Sequence, residues 1–370
     1  VSGVVGFLTC LSLGLAVPPA QRGDPTFAET IAEISEPGGF FFSDNLVSNE
    51  TSYLHVIGKL DELKVSGGAY LGVGPEQSFS YIAQIQPAVA FIIDIRRDNQ
   101  LLHLLLKAIF ERADTRLEYL CLLYARPCPA EPARWREVPL NQLIEYLDAA
   151  VVDSAVAAGT ELALIHRAAG FGVPLTEQDQ ATLRRLHAEF VDQGLDLRFS
   201  AYGRRAVATF PTVRQLYLAT DLRGAAVSFL ASDRRYRVVR DLERADRVFP
   251  VVGDLGGPHA VKAIGRWLER RRERVSLFYL SNVEYYLLRS QTFGQFVDNV
   301  ASLPRGADAL LTRSYFAVQT GVPHPAQQLG HLSVQLLQPA ADFLHRIRVG
   351  VPVDYLTLTT EGAIPLDPRP

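Results

Sequence analysis

Methionine is absent from this chain, even at position 1. Val1 therefore reads either as an alternative start or as a point inside a longer chain. Cysteine is scarce, at three residues, and the eight histidines are scattered, so no spacing suggests a zinc site and no metal is expected. Three catalytic signatures are missing as well. There is no G-x-x-x-x-G-K-[ST] phosphate loop, no G-x-S-x-G elbow and no H-E-x-x-H helix. A large charge of one sign is also lacking: the formal net charge of -3 gives no global attraction for nucleic acid. The basic run from Arg266 to Arg274 is interrupted by Glu269 and Glu273, and it reads as the solvated carboxyl end of a helix. No internal repeat or low-complexity tract appears.

What is present is globular. With 48% hydrophobic and 21% charged residues over 370 positions, the chain can bury a sizeable core, and widespread disorder is excluded. Residues 1–20 carry no charge before Arg22, and the stretch from Val4 to Ala16 has the length of a signal-peptide apolar region. Gly14-Leu15-Ala16 offers a small-x-small cleavage pattern, and Pro18-Pro19 follows. This predicts an exported protein, periplasmic or extracellular, with membrane contact only through an uncleaved apolar anchor. Removal of residues 1–16 would leave Cys121 and Cys128. They read either as a disulfide closing a short loop or with Cys121 as an ordinary buried helix thiol.

Residues 21–66 read as an N-terminal helical segment and residues 67–370 as the main domain. Continuous apolar runs mark strands at Ala69–Leu71, Ala88–Asp94, Arg247–Asp254, Ser276–Asn282 and Asp308–Arg313. Helical spacing separates them, over 78–86, 99–112, 232–245, 258–272 and 283–299. The pattern predicts an α/β fold with a doubly wound, mostly parallel, Rossmann-like sheet. A helical insertion occupies about 114–200. The last 50 residues read as a helix near Pro339–Arg346 with a short strand.

In such a sheet, ligands bind beyond the carboxyl ends of the strands. The first strand leads into Gly72-Val73-Gly74-Pro75-Glu76-Gln77, where Gly72 permits a tight turn and Gly74 a close backbone approach. Gln77 stands where a dinucleotide fingerprint would have its third glycine. Asp94, 20 residues beyond Gly74, is placed to accept hydrogen bonds from ribose hydroxyls, or else to pair with Arg96 or Arg97. A second glycine-rich turn, Gly253 to Gly257 with Asp254, opens a helix whose N–H groups suit an anion. The fourth strand ends in Asn282, with Glu284 and Tyr285 at the next helix entry. No nucleophile–base pair is evident there. Asn45, Asn49 and Glu50 form a polar patch that reads either as a lid or as helix capping.

The segments Phe42 to Glu50, Tyr70 to Gln77, Ile93 to Asn99, Pro250 to Asp254 and Tyr279 to Glu284 resemble an uncharacterised bacterial family. Its members often carry a signal peptide, and its fold is similar to that of class I S-adenosylmethionine-dependent methyltransferases. The resemblance implies that Gly72 and Gly74, with Glu76 and Gln77, surround the methionine part of S-adenosylmethionine. It implies that Asp94, with Arg96 beside it, holds the ribose, that Asp254 lies near the adenine and that Asn282 lies beside the reacting methyl. Tyr70 replaces the acid usually found two positions before the first glycine. Two functions follow as expectations: a methyltransferase-like protein binding S-adenosylmethionine or a related nucleoside, or a non-catalytic exported protein that binds a small molecule or partner in the same cleft.

Overall fold

The computed structural model describes residues 25–43, 46–201 and 209–366. The apolar stretch from Val4 to Ala16 and Asn45 lie outside them. Six strands form one sheet in the order β3-β2-β1-β4-β5-β6. They are β1 (Ala69–Val73), β2 (Val89–Asp94), β3 (Val248–Val252), β4 (Val275–Tyr279), β5 (Arg305–Tyr315) and β6 (Val334–Pro339). All neighbours pair in parallel except β5 and β6, which are antiparallel. The protein is thus an α/β protein with a mostly parallel, Rossmann-like sheet. Strands β1 and β3 are buried at every residue, as strands covered on both faces require. The order reverses beside β1, where β2 leaves on one side and β4 on the other. Ligand crevices form at such a switch point.

The helices follow from their own local signals. α1 (Phe27–Ile34) starts with a capping box between Thr26 and Glu29 and packs on β3. α2 (Ile57–Glu62) precedes β1, and α3 (Gln77–Ile85) links β1 to β2. α4 (Arg97–Arg112) runs after β2 and is buried along most of its length. Its Lys107 is 1% exposed, pairs with Asp246 at 2.7 Å and lies 4.9 and 5.1 Å from the rings of Phe27 and Phe171. A buried cation is tolerable only with such partners.

The insertion comprises α5 (Arg116–Leu123), α6 (Leu140–Ala149), α7 (Ser154–Ala169) and α8 (Glu177–Gln193), with a 3-10 turn at Pro132–Trp135. Cys121 is buried on α5, Cys128 is exposed, and both thiols are free. α9 (Val213–Tyr217) and α10 (Asp233–Arg244) lead back to β3, and Ser232 caps α10 as its sequence predicts. α11 (Ala260–Arg271) joins β3 to β4. Beyond β5 come α14 (Ala317–Thr320), β6, α15 (Ala340–Arg348) and α16 (Tyr355–Thr360).

Two expectations change and one is placed. Strand one does not stop before Gly72. It runs to Val73, so Gly72 lies inside β1 and pairs with Ile92. The single helix expected over 283–299 is two, α12 (Val283–Arg289) and α13 (Phe293–Ser302), because Gln291 between them adopts φ +62°. The short strand near the end is β6, an antiparallel partner for β5. On its other side Ile364 N–H donates to the Leu337 carbonyl at 2.7 Å. No helix among the described residues is long and apolar enough to cross a membrane.

Candidate functional site at the carboxyl edge of the sheet

The turn after β1 is filled by its own neighbours. A Cβ at Gly72 would collide with the phenol of Tyr70, which is fully buried on the same strand face. Glycine here makes room for a side chain two residues earlier. Gly74 has φ +83°, and a Cβ there would stand 2.8 Å from the Gln77 amide nitrogen. His103 on α4 donates from Nε2 to the Gly74 carbonyl at 3.0 Å. Burial pulls its imidazole down to about 4, so it is neutral at pH 7. Its Nδ1 and the Gln77 Oε1 are buried without a partner.

Asp94 at the end of β2 is engaged by Arg96. The guanidinium donates through Nε to Oδ1 at 3.0 Å and through Nη2 to Oδ2 at 2.8 Å, and the Arg96 N–H adds a third bond at 2.9 Å. Arg96 also donates to the Ser43 carbonyl at 2.6 Å. The alternative of a local ion pair, two residues away, is the arrangement found.

The turn after β3 holds an anion, but the anion belongs to the chain. Glu36 Oε1 accepts from the Asp254 N–H at 2.7 Å, and its Oε2 accepts from Ala260 N–H at 3.2 Å at the start of α11. Gly257 leaves the space for it, since a Cβ there would press on the Glu36 carboxylate. Asp254 itself accepts from Gly256 N–H at 2.8 Å. The N-terminal stretch therefore crosses the carboxyl edge, held also by Glu36 N–H to the Val252 carbonyl and Gly39 N–H to the Ile95 carbonyl.

At β4 and β5 the picture differs. Glu50 is 1% exposed. Its carboxyl accepts from Tyr279 Oη at 2.7 Å, from Ser314 Oγ at 2.5 Å and from Ser281 Oγ. Tyr279 also receives a long bond from the Gln77 amide at 3.4 Å, and Ser314 contacts Gln335 Oε1 at 2.7 Å on β6. Burial, unopposed by any cation, raises the Glu50 pKa above the usual carboxylate range. Ser281 sits at φ +51°, a conformation uncommon outside glycine, and its hydroxyl also contacts Asn282 Oδ1 at 3.4 Å. Ser281 and Asn282 remain partly exposed.

The other predicted residues lie close by with different duties. Glu284 is 1% exposed and forms an ion pair with Arg313, itself 1% exposed, so it braces α12 against β5. Tyr285 packs edge-on against Tyr286 and Tyr355, with the Arg289 guanidinium 5.5 Å from its ring. Asn49 is half-buried beside Glu50. Glu76 points away from the edge into a group of phenols. Its Oε2 accepts from Tyr119 at 3.1 Å, Tyr217 is its neighbour, and burial pushes it up to about 7.

Sequence reasoning placed Glu50 but not its partners. Tyr279, Ser281 and Ser314 lie more than 200 residues along the chain, on or just beyond β4 and β5. One signal was available: Thr312-Arg313-Ser314 is a polar run inside a strand, and all three side chains are buried. Gln335 also lines a cavity of about 300 Å³ with His55, His324 and Thr360. A wider cleft of about 830 Å³ adjoins it, shares His55 and includes Asp221 and His331. Among the described residues no group of three or more His, Cys, Asp or Glu is arranged to hold a metal.

The pattern of a protein family described as a domain of unknown function (DUF7790) matches residues 46–127 and 175–358. The chain belongs to that family. The matched parts contain the whole sheet with Glu50, Glu76 and Ser281, whereas the gap between them holds α6 and α7. Glu36 and the crossing segment up to Ser43 also lie outside the match. No curated protein matches the chain.

Proposed function

We propose that this protein binds a small molecule at the carboxyl ends of β4 and β5, around Glu50, on a methyltransferase-like form of the α/β fold, and that it is not a methyltransferase of the usual kind. One observation supports this above others. Each feature that would hold a nucleoside cofactor across β1, β2 and β3 is filled by the chain's own groups: Tyr70 over Gly72, Gln77 over Gly74, Arg96 on Asp94 and Glu36 in the Gly253–Gly257 turn. Displacing Arg96 or Glu36 means breaking charge-assisted bonds, which are the stronger kind. Residues 1–20 suit export, where S-adenosylmethionine would be scarce. N-terminal sequencing of protein recovered from the periplasm is expected to find cleavage near Val17.

The test is calorimetric titration with S-adenosylmethionine and S-adenosylhomocysteine up to millimolar concentration. No saturable binding is expected. Saturable binding that Asp94→Ala weakens would overturn the proposal in favour of a methyltransferase. That second reading has one observation in its favour: Gln77 Oε1 and His103 Nδ1 are buried beside the first turn without partners, as atoms awaiting a ligand would be.

A further inference from the structure

Among the buried charges of the described residues, Glu50 shares with Glu76 the lack of a counter-ion, and of the two only Glu50 reaches the ends of β4 and β5. Lys107 has Asp246, Arg313 has Glu284 and Arg96 has Asp94. Glu50 has hydroxyls only. Four phenols lie near enough to interact with its charge, Tyr70 of β1, Tyr81 of α3, Tyr279 of β4 and Tyr355 of α16, and none of them supplies a positive charge. A buried carboxyl without a counter-ion is costly to ionise, so it favours a bound cation strongly when one arrives.

A chain of contacts leads outward from Glu50. From Glu50 the contacts pass through the Ser281 hydroxyl to Asn282, which opens α12 and contacts the Tyr286 phenol. Tyr286 stands edge-on to Phe41 with centroids 5.0 Å apart and to Tyr285 at 5.2 Å, and Phe42 packs on Phe41 at 4.5 Å. Phe42 is 40% exposed. This rim of rings already attracts one cation of the chain, Arg289, over Tyr285. Aromatic faces backed by a buried carboxylate are suited to quaternary ammonium and sulfonium groups, which are weakly hydrated and make no demand for hydrogen-bond acceptors.

We infer that the ligand of this site carries an organic cation, seated between the Phe41–Tyr286 rim and Asn282, with Glu50 as its counter-charge. This rests on the proposal that the ligand lies at β4 and β5, and it names the chemical class.

The experiment uses choline and its uncharged isostere 3,3-dimethyl-1-butanol as probes on the full chain, followed by NMR shifts and calorimetry. Choline is expected to bind about tenfold or more tighter than the isostere and to perturb residues 281–286. Glu50→Gln, which keeps the shape, is expected to abolish the preference. Arg289→Ala is expected to tighten choline binding by clearing the rim. Equal binding of both probes, or a preference that survives Glu50→Gln with unchanged near-ultraviolet circular dichroism, would overturn the inference while leaving a ligand site at β4 and β5. Binding of neither probe also overturns it. The β4–β5 proposal is judged separately, by the S-adenosylmethionine titration.

Discussion

The two halves of the sheet's carboxyl edge are built on opposite principles. Across β2 and β3, the charged and anion-binding groups meet complementary ones from the same chain: Asp94 with Arg96, and the N–H groups of the Asp254 turn with Glu36. Across β4 and β5, Glu50 sits among three hydroxyls and gains no counter-charge. A complete set of internal partners stabilises the fold and leaves little for a ligand to add. An incomplete set costs stability and retains affinity for something that can complete it.

This contrast can be broken by mutation. The largest effect is expected from Arg96→Ala, which strands the Asp94 carboxylate and should cost about 3–5 kcal/mol in urea unfolding. A cost under about 1 kcal/mol, the usual value of an exposed pair, would show that the first half is not closed by that ion pair. Next comes Glu76→Gln. Because Glu76 is raised to about 7 in the folded protein, its contribution is fully present below about pH 4.5 and is lost as pH rises toward 7. The variant should flatten that part of the stability profile. At pH 8 it should be more stable than the parent by up to roughly 3 kcal/mol. A difference curve that is level across this range would exclude the assigned protonation. The smallest effect belongs to Glu50→Gln, expected to alter stability by less than about 1 kcal/mol, since the amide keeps the shape of the carboxyl, can still accept from the surrounding hydroxyls and removes a buried charge that has no counter-ion. A loss comparable to that of Arg96→Ala would make Glu50 a structural hub and remove the distinction between the halves.

Much of this arrangement was legible in the residues, and for identifiable reasons. The strands of a doubly covered parallel sheet must be apolar on both faces, so Ala69–Val73, Val89–Asp94 and Val248–Val252 stand out as uninterrupted runs. The position of the candidate site was read from the same runs, because parallel strands deliver their carboxyl ends to one edge. The Asp94–Arg96 pair could be foreseen as one of two options, since its partners are two residues apart. Others could not. Glu36 meets Asp254 across 218 positions and Glu50 meets Ser314 across 264, and composition carries no record of such meetings. The break between α12 and α13 was hidden for a different reason: Gln291 gives no sequence warning of its left-handed backbone. Gly72 illustrates the deepest ambiguity. A glycine that admits a ligand and a glycine that admits Tyr70 look identical until the fold is known.

The bond between Ile364 and Leu337 has a consequence for how copies of this protein meet one another. β6 is the last strand of the sheet, and antiparallel edges are natural templates for another strand. Residues 363–366 lie along it and occupy part of its free side. Cutting the chain before Ala363 would leave the Leu337 carbonyl without its partner and open that side of β6 beside the cavity that Ile364 and Leu366 also line. Light scattering should then reveal concentration-dependent association in the shortened protein and not in the full chain. The last described turn of the polypeptide is, in this sense, a guard against self-recognition.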